Sequence, residues 1–337
     1  MTVFLMSKAE ILKTNDPDLL FKDKSDYKKL ALQWHPDKGG DTDAFSHIAI
    51  MWSLYKKVHT ATVSIINYSA IDVFEYRLKF KTDAGMCYIN NDFVLFEIDI
   101  NNIDLCSNFI NCMNFIHARK DSKIKKYFST ILPSMLIMRN ESSEFIYLMF
   151  AIPNKMVPLS LVLDQYSGKI PAASVAWIIS RMLNLSVYCE RHRIALNSYT
   201  LASFWINPEK HVGCDIAGWF FSTQERKKLL ALPNGVKNIY PLDLVKKRIG
   251  SSVADGVLIR NTAAKLLGDK TGSGFKLNRE EIPNELINWI ITPSTKLNNF
   301  EMYENWYRKV LPESFGERKF TKMGITSDLI YAKYGGK

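Results

Sequence analysis

The tripeptide His35-Pro36-Asp37 contains the residue types in this chain best placed to do chemistry. It lies in LALQWHPDKGGDTDAF, residues 30–45, where an apolar helical pattern stops at the tripeptide and resumes after a polar turn. Pro36 cannot continue the preceding helix, because its ring clashes with the turn before it and it has no amide proton to donate. The sequence therefore predicts a stiff corner that presents an imidazole and a carboxylate in fixed relative positions.

Two helices are predicted to flank this corner. Before it, apolar residues recur at helical spacing: Phe21, Tyr27, Leu30, Ala31 and Trp34. Lys24, Lys28 and Lys29 lie largely off that stripe, which gives the helix a basic face. After the corner, Asp43 is predicted to cap a second amphipathic helix. The two helices are expected to pack as an antiparallel pair with the corner exposed at the tip.

The composition is that of an ordinary folded protein with room for two or three domains. The chain has 337 residues, 47% of them apolar, and a net charge of +10. Such a charge suggests an acidic partner, either a protein surface or nucleic acid. The five cysteines form no CxxC pair, which favours a reduced, intracellular setting and disfavours zinc.

The ends and the apolar runs of the sequence suggest no membrane association. The N-terminus lacks the basic region and cleavage site of a signal peptide, and no apolar run reaches the roughly 18 residues that span a bilayer. We therefore expect a cytoplasmic protein with no membrane partner. The histidines show no metal-ligand spacing, so neither a metal nor another cofactor is expected.

The stretch YKKLALQWHPDKGGDTDAFSHIAIMWSLY, residues 27–55, resembles the J-domain of co-chaperones that drive DnaK-type heat-shock chaperone ATPases. The resemblance implies that His35, Pro36 and Asp37 stimulate the partner's ATP hydrolysis. It implies that the basic helix face docks on an acidic part of the chaperone through Lys28 and Lys29, with Lys24 and Lys38 as weaker candidates. HPDKGGD is also similar to J-domains of viral proteins.

The rest of the chain is predicted to change from strands to helices. Strands are expected over 73–80, 93–98 and 145–152, and a helix with a basic end over 108–128. The basic run Lys123, Lys125 and Lys126 is interpreted as a solvated helix end, so nucleic acid is not expected as a partner. A long helix over 172–193, short strands at 204–206 and 212–215, and helices near 253–267, 280–291 and 300–311 follow. The tail, 312–337, has no strong periodicity: it could wrap the scaffold or dock a partner, and a flexible end is the default expectation.

This order of strands, one helix, a bend and a helical half resembles a protein kinase. Residues 158–196 look like the segment from the interlobe hinge to the catalytic loop, and 203–219 look like the strands leading to the magnesium-binding aspartate, here Asp215. Residues 251–269 resemble the helix whose first aspartate, here Asp255, braces the catalytic loop. The resemblance implies an α+β chain with an N-terminal J-domain hairpin at 1–60, a mixed β-sheet small lobe at 62–152, a mainly α large lobe at 153–311 and a tail at 312–337.

Several groups that phosphoryl transfer requires are missing from this kinase-like region. Ser198 falls at the position of the catalytic aspartate and Ser203 at that of the second metal ligand. Glu97 is predicted to stand where an ATP-binding lysine is required, and a carboxylate there would repel a triphosphate. The region is therefore predicted to be a scaffold without kinase activity.

The function expected from these resemblances is that of a J-domain co-chaperone or adaptor, which stimulates a DnaK-type ATPase. It would tether that ATPase to an unknown client protein through the inactive kinase-like region, residues 62–311, here called the body. Two alternatives stay open: a divergent active kinase targeted by its J-domain, and a phage virion or assembly component. A J-domain fused to a degenerate kinase-like region resembles proteins of large bacteriophages, which implies a viral protein in the host cell cytoplasm.

Overall fold

Helices and strands are both present throughout the computed structural model, which describes residues 6–22, 24–59, 62–66, 71–90, 92–118, 132–133, 136–152, 155–293, 298–317 and 322–335. Helices come first along the chain, a five-stranded antiparallel sheet follows, and a mainly helical half completes the described part. This mixture of α and β agrees with the α+β class predicted from the sequence.

Residues 6–59, the N-terminal unit, form three helices: α1 Lys8–Lys13, α2 Lys24–Gln33 and α3 Thr42–His59. The predicted apolar spacing gives the unit a core of its own, formed by Ile11, Leu20, Phe21, Leu30, Ala44, Ile48 and Met51. Packing of α2 on α3 leaves residues 34–41 at one end of the pair. The predicted helix pair is therefore present.

The cap of α3 differs from the prediction. Asp41, not Asp43, precedes the first helical residue, and its Oδ1 accepts the backbone N–H of Asp43 at 3.1 Å and of Ala44 at 3.0 Å. Aspartate is a favourable capping residue at either position, and the helix begins two residues earlier than predicted, directly after the glycine turn. The predicted role of Asp43 is wrong.

The sheet region contains seven strands: β1 Thr62–Ile66, β2 Ile71–Glu75, β3 Leu78–Lys81, β4 Met86–Ile89, β5 Phe93–Asp99, β6 Leu136–Glu141 and β7 Phe145–Ala151. β1 and β2 form a separate hairpin, while the others form an antiparallel sheet in the order β3-β4-β5-β7-β6. Helix α4, Ile103–His117, follows β5 and buries Phe109 and Met113 in the core.

Two sequence predictions in this region need correction. The single strand predicted over 73–80 is two strands, because the chain leaves its pairing with β1 at Tyr76-Arg77 and pairs with β4 instead. Alternation of apolar and polar residues continues through such a change of partner and cannot reveal it. The helix predicted over 108–128 begins at Ile103, and residues 119–131, with the basic run, lie outside the described residues.

The second half of the chain is built on α6, Ala172–Arg191, preceded by β8 Val157–Pro158 and α5 Leu159–Gln165. Short strands follow: β9 Ile194–Ala195, β10 Phe204–Asn207, β11 Val212–Asp215 and β12 Thr223–Gln224. The remaining helices are α7 Leu242–Lys247, α8 Ser252–Leu266, α9 Asn284–Ile291, α10 Asn299–Asn305, α11 Leu311–Phe315 and α12 Ser327–Tyr334, with a π-helical turn, Trp306–Val310, between α10 and α11. The strands predicted at 204–206 and 212–215 are confirmed as an antiparallel pair.

Helix α6 is long and apolar enough to cross a membrane by length and composition alone, with a mean hydropathy of 1.2. Two-thirds of that stretch, 67%, is buried inside the protein, where it contacts α8, α10 and β11. The composition and burial of α6 are those of a helix at the centre of a protein core. The apolar face of α6 is thus covered by the chain itself.

The tail is part of the fold rather than a flexible end. The predicted boundary at 312 falls inside α11, and α12 packs against α3, α5 and β3. Ile330 and Tyr331 on α12 are fully buried. The prediction of a flexible end is therefore wrong for residues 327–334, whose short apolar face gave too weak a periodicity to identify.

A buried cluster of charges joins the N-terminal unit, the sheet and α12. Arg77, only 3% exposed, forms ion pairs with Asp18 at 3.4 Å and with Asp328 at 2.8 Å, and its guanidinium lies 4.8 Å from the centre of the Tyr331 ring. Lys155 forms ion pairs with Asp16 at 2.9 Å and with Asp328 at 3.7 Å. These contacts, here called the Arg77 junction, link three parts of the chain that are distant in sequence.

Replacing Arg77 with methionine is expected to lower the free energy of unfolding by about 3 kcal/mol, because it leaves the Asp328 carboxylate buried without its closest cation. Adding Asp328→Asn to Arg77→Met should recover part of that loss. Lys169→Met, which breaks an exposed ion pair with Glu281, serves as the control and should cost less than about 1 kcal/mol. Denaturant unfolding followed by circular dichroism measures all three, and equal losses for Arg77→Met and the control would contradict a structural role for the junction.

Candidate functional site

The corner between α2 and α3 is a tight, hydrogen-bonded turn. His35 Nδ1 accepts the backbone N–H of Asp37 at 3.2 Å, and the His35 carbonyl accepts from Lys38 N at 2.9 Å and Gly40 N at 3.0 Å. Pro36 starts a single 3-10 turn, Pro36–Lys38, at the position where a missing amide proton costs nothing. The backbone is therefore locked on both sides of the proline.

Two glycines make this turn possible. Gly39 has a φ of 81°, which L side chains rarely adopt, and a Cβ on Gly40 would lie 2.3 Å from the backbone carbon of Trp34. The chain after Asp37 can therefore return close enough to Trp34 to start α3 only with glycine at 40. The sequence pattern Lys38-Gly39-Gly40 is the local signal for this closure.

The functional groups of the corner are accessible. The side chain of Asp37 is 88% exposed and that of His35 is 41% exposed, with the imidazole edge against the Phe45 ring at 4.9 Å between centroids. His35 Nδ1 lies 3.7 Å from Asp37 Oδ2. The corner thus holds an imidazole and a carboxylate side by side at the surface.

The predicted basic residues lie beside the corner on α2. Lys28, Lys29 and Lys38 are all exposed. Lys29 and Lys38 line a shallow depression together with Gln33 and Leu32, and Leu32 is 57% exposed. The structure therefore brings basic groups and one apolar side chain together near His35; it describes the backbone of Lys24 only.

The predicted degenerate kinase positions meet in the interior of the second half. Asp215 is fully buried at the end of β11, where its Oδ1 accepts the Gly218 N–H at 2.6 Å and its Oδ2 accepts the Ser203 hydroxyl at 3.0 Å. A Cβ on Gly218 would lie 1.8 Å from Ser198 Oγ and 2.3 Å from Asp215 Oδ1. Ser198, Ser203 and Asp215 are thus packed against one another with the Gly218 backbone, at a spacing that admits no further side-chain atom.

Burial raises the pKa of Asp215 from its ordinary value to about 7, and the hydrogen bonds from Gly218 and Ser203 only partly offset this. A carboxyl group with such a pKa carries its proton much of the time at neutral pH. That reduces its ability to hold a divalent cation, because metal binding requires the carboxylate.

Asp255 braces the segment that follows β9. Its carboxylate, fully buried on α8, accepts the backbone N–H of Leu196 at 3.0 Å and of Asn197 at 2.7 Å. Burial raises the pKa of Asp255 well above its usual range. The structure thus places Asp255 against the loop that contains Ser198.

Asn197 is a positioning residue that sequence reasoning missed. Its φ is 59°, its Nδ2 donates to the carbonyls of Ala195 and Phe221 at 3.1 Å each, and its Oδ1 accepts the Tyr240 hydroxyl at 2.7 Å. Asparagine adopts the left-handed backbone conformation more readily than most residues. An asparagine directly before Ser198 is therefore the sequence signal from which its role in this loop could have been predicted.

Glu97 is not brought to this cluster. On β5 its neighbours Phe96 and Ile98 face the main core, and Phe96 lies 5.0 Å from Phe220 between ring centroids. Because side chains alternate, Glu97 lies on the opposite face of the sheet, where Tyr88 donates to its Oε1 at 3.5 Å. The structure thus does not bring Glu97, which was predicted to stand at the position of an ATP-binding lysine, to Asp215.

Aromatic rings fill the space between the sheet and the second half. Phe80 on β3 lies 5.4 Å from Trp205 on β10, and Phe220 stacks on Phe109 at 4.6 Å, centroid to centroid. The sheet and the helical half therefore share one apolar core. Among the described residues no group of three histidine, cysteine or acidic side chains could hold a metal ion, and all five cysteines are free thiols.

Comparison with known proteins gives no identification: no family model matches the chain, and no curated protein matches it.

Replacing Asp215 with asparagine is expected to flatten the pH dependence of stability. The raised pKa means that the folded state binds a proton more tightly than the unfolded state, so this group's contribution is lost as the pH rises toward and past 7. Between about pH 5.5 and pH 8.5 the parent should lose about 2 kcal/mol through Asp215, and Asp215→Asn should not. Thermal melts of both proteins across that range measure the difference, with Asp104→Asn at an exposed position as the control. Parallel curves for parent and Asp215→Asn would contradict the raised pKa.

Proposed function

We propose that this protein is a J-domain co-chaperone that stimulates a DnaK-type heat-shock chaperone ATPase and holds it, through a catalytically inactive kinase-like body, near a client protein. The observation that carries the proposal is the exposed His35-Pro36-Asp37 corner at the end of an antiparallel helix pair, with Lys28, Lys29 and Lys38 beside it. On this proposal residues 6–59 act as the J-domain hairpin, and the sheet and helical half act as a bilobal kinase-like scaffold.

The fixed backbone of the corner and the exposed charges beside it suit a segment that activates another protein. Little conformational entropy is lost on docking, because Pro36 and the hydrogen bonds of the turn already fix its backbone. The exposed lysines attract an acidic partner over a distance and raise the encounter rate. The hydrolysis chemistry then belongs to the chaperone, and this chain contributes geometry and charge.

The proposal of an inactive body is supported by the burial of the groups that would have to act. Asp215 is 0% exposed and bonded to Ser203 and Gly218, and Ser198 offers a hydroxyl at the position where the resemblance implies the catalytic carboxylate. Phosphoryl transfer needs charged groups that reach the phosphates, and here aromatic side chains occupy the space between the two halves. The body is accordingly proposed to bind partners without turning over nucleotide.

Replacing His35 with glutamine is expected to abolish stimulation of a DnaK-type ATPase while leaving the fold intact, because the imidazole is partly exposed and its contacts are local: the hydrogen bond from Asp37 N–H and an edge contact to Phe45. His35→Asn is the matched variant: asparagine can still accept the Asp37 N–H as a cap but has no imidazole. Single-turnover ATP hydrolysis by the chaperone, with each variant added, measures the effect. Stimulation equal to that of the parent by either variant would refute the assignment of the corner.

Reversing the charge at Lys28 and Lys29 together, both to glutamate, is expected to weaken chaperone binding more at low salt than at high salt, because concentrated salt already screens the attraction. The control is Lys270→Glu with Lys276→Glu, which makes the same charge change on an exposed loop outside the N-terminal unit. Surface plasmon resonance at two ionic strengths measures the association rates. A loss of binding that is independent of salt, or equal for the control, would contradict electrostatic docking through α2.

A further inference from the structure

Seven exposed cations lie together on the second half of the chain. This basic patch consists of Arg193, Arg226, Lys227, Lys228, Lys246, Lys247 and Arg248. Residues 226–250 contain seven basic residues and one carboxylate, Asp243. The charge of the chain is therefore strongly concentrated in one segment.

Backbone hydrogen bonds bring three segments of this patch together. Glu225 N donates to the Arg193 carbonyl at 2.8 Å, Arg226 N donates to the Gly250 carbonyl at 2.9 Å, and Leu229 N donates to the Arg248 carbonyl at 2.9 Å. Residues 193–195, 223–229 and 248–250 therefore run side by side. The exposed basic residues at 193, 226–228 and 246–248 are therefore carried by neighbouring segments.

No acidic group within the described ranges forms an ion pair with these cations. None of the seven side chains has an ion pair or a side-chain hydrogen bond in the described part of the chain. The nearest acid in sequence, Glu225, is turned inward: its carboxylate accepts the Ser251 hydroxyl at 2.8 Å and the Ser252 N–H at 2.7 Å. Solvent, or an acidic partner that binds at the patch, must therefore screen the repulsion between these cations.

The backbone at the patch is strained where its arginines stand. Arg193, Arg226 and Arg248 have φ angles of 56°, 59° and 53°, a left-handed conformation that glycine or asparagine adopts at lower cost. These are three of the seven non-glycine residues with positive φ in the described part of the chain. Arg248 is the C-cap of α7 and Arg193 follows the C-cap of α6, positions at which a left-handed residue commonly ends a helix and which glycine occupies at least cost.

The apolar residues of the patch indicate the kind of partner. Leu230 is 57% exposed beside Lys228, and Leu242 is 68% exposed and lies four residues before Lys246, on the same face of α7. The one aromatic residue within 226–250, Tyr240, is buried and so offers no platform on which a nucleic-acid base could stack. Cations next to exposed leucines match a polypeptide that alternates acidic and apolar side chains.

We propose that this basic patch is a docking surface for an acidic polypeptide segment that carries apolar residues. The proposal is independent of the chaperone function, because it involves neither the corner nor α2. The patch would give the body a way to hold a client or partner protein by charge, with Leu230 and Leu242 adding selectivity for apolar side chains.

The test uses the full chain and three fluorescent probes: a peptide of Glu-Glu-Leu repeats, a peptide of Glu-Glu-Ser repeats with the same length and charge, and a single-stranded oligothymidylate with the same charge. Arg226→Gly with Arg248→Gly removes two charges at the strained positions, where glycine relieves the conformation, so this variant should melt no lower than the parent. Lys270→Gln with Lys276→Gln removes two exposed charges elsewhere and is the matched control.

Fluorescence anisotropy should show the Glu-Glu-Leu peptide binding more tightly than either other probe and more weakly as salt is added. The glycine variant should bind it roughly tenfold more weakly, and the glutamine control should match the parent. Equal binding of the Glu-Glu-Ser peptide, tighter binding of the oligothymidylate, no binding of any probe, or an unchanged affinity in a folded glycine variant would each overturn the proposal.

Discussion

A single buried guanidinium, that of Arg77, determines how the parts of this protein are joined. It lies between Asp18 of the N-terminal unit and Asp328 of α12, and it stacks on the Tyr331 ring. Burial raises the pKa of Asp328 even with Arg77 and Lys155 beside it, which shows how large the cost of removing these charges from water is. Such a cluster adds little net stability compared with apolar packing. It makes the arrangement specific, since any other docking would leave a buried charge unpaired.

The same junction explains features that otherwise look unrelated. The strand pairing changes at Tyr76-Arg77, where the chain leaves β2 and the arginine reaches its two carboxylates. The C-terminal helix is held against α3 although its own apolar face is small, because Asp328 and Tyr331 both contact Arg77. The corner at His35 lies at the end of a helix pair that is fixed on the body, so it is presented from a rigid base.

How far the sequence predicted this structure depends on whether each signal was local. Proline, glycine and helical spacing act within a few residues, so the corner, the α2–α3 pair, the β10–β11 hairpin and α6 could all be located. The Arg77 junction joins residues 18, 77, 155 and 328, and no local pattern reports such a contact. The side of the sheet on which Glu97 lies depends on strand register, in which a shift of one residue reverses the face, and Asp41 and Asp43 are both residue types that cap a helix.

The buried charged groups of the body and its exposed ones have different roles. Asp215 and Asp255 have raised pKa values because they are enclosed, and their hydrogen bonds go to the chain's own backbone and hydroxyls. Carboxyl groups used in this way fix loops and have no remaining reach toward a substrate. Exposed cations, in contrast, are grouped on α2 and along residues 193, 226–228 and 246–248. Cations grouped in this way attract acidic surfaces, while the enclosed carboxyl groups of Asp215 and Asp255 hold the loops of the body in place.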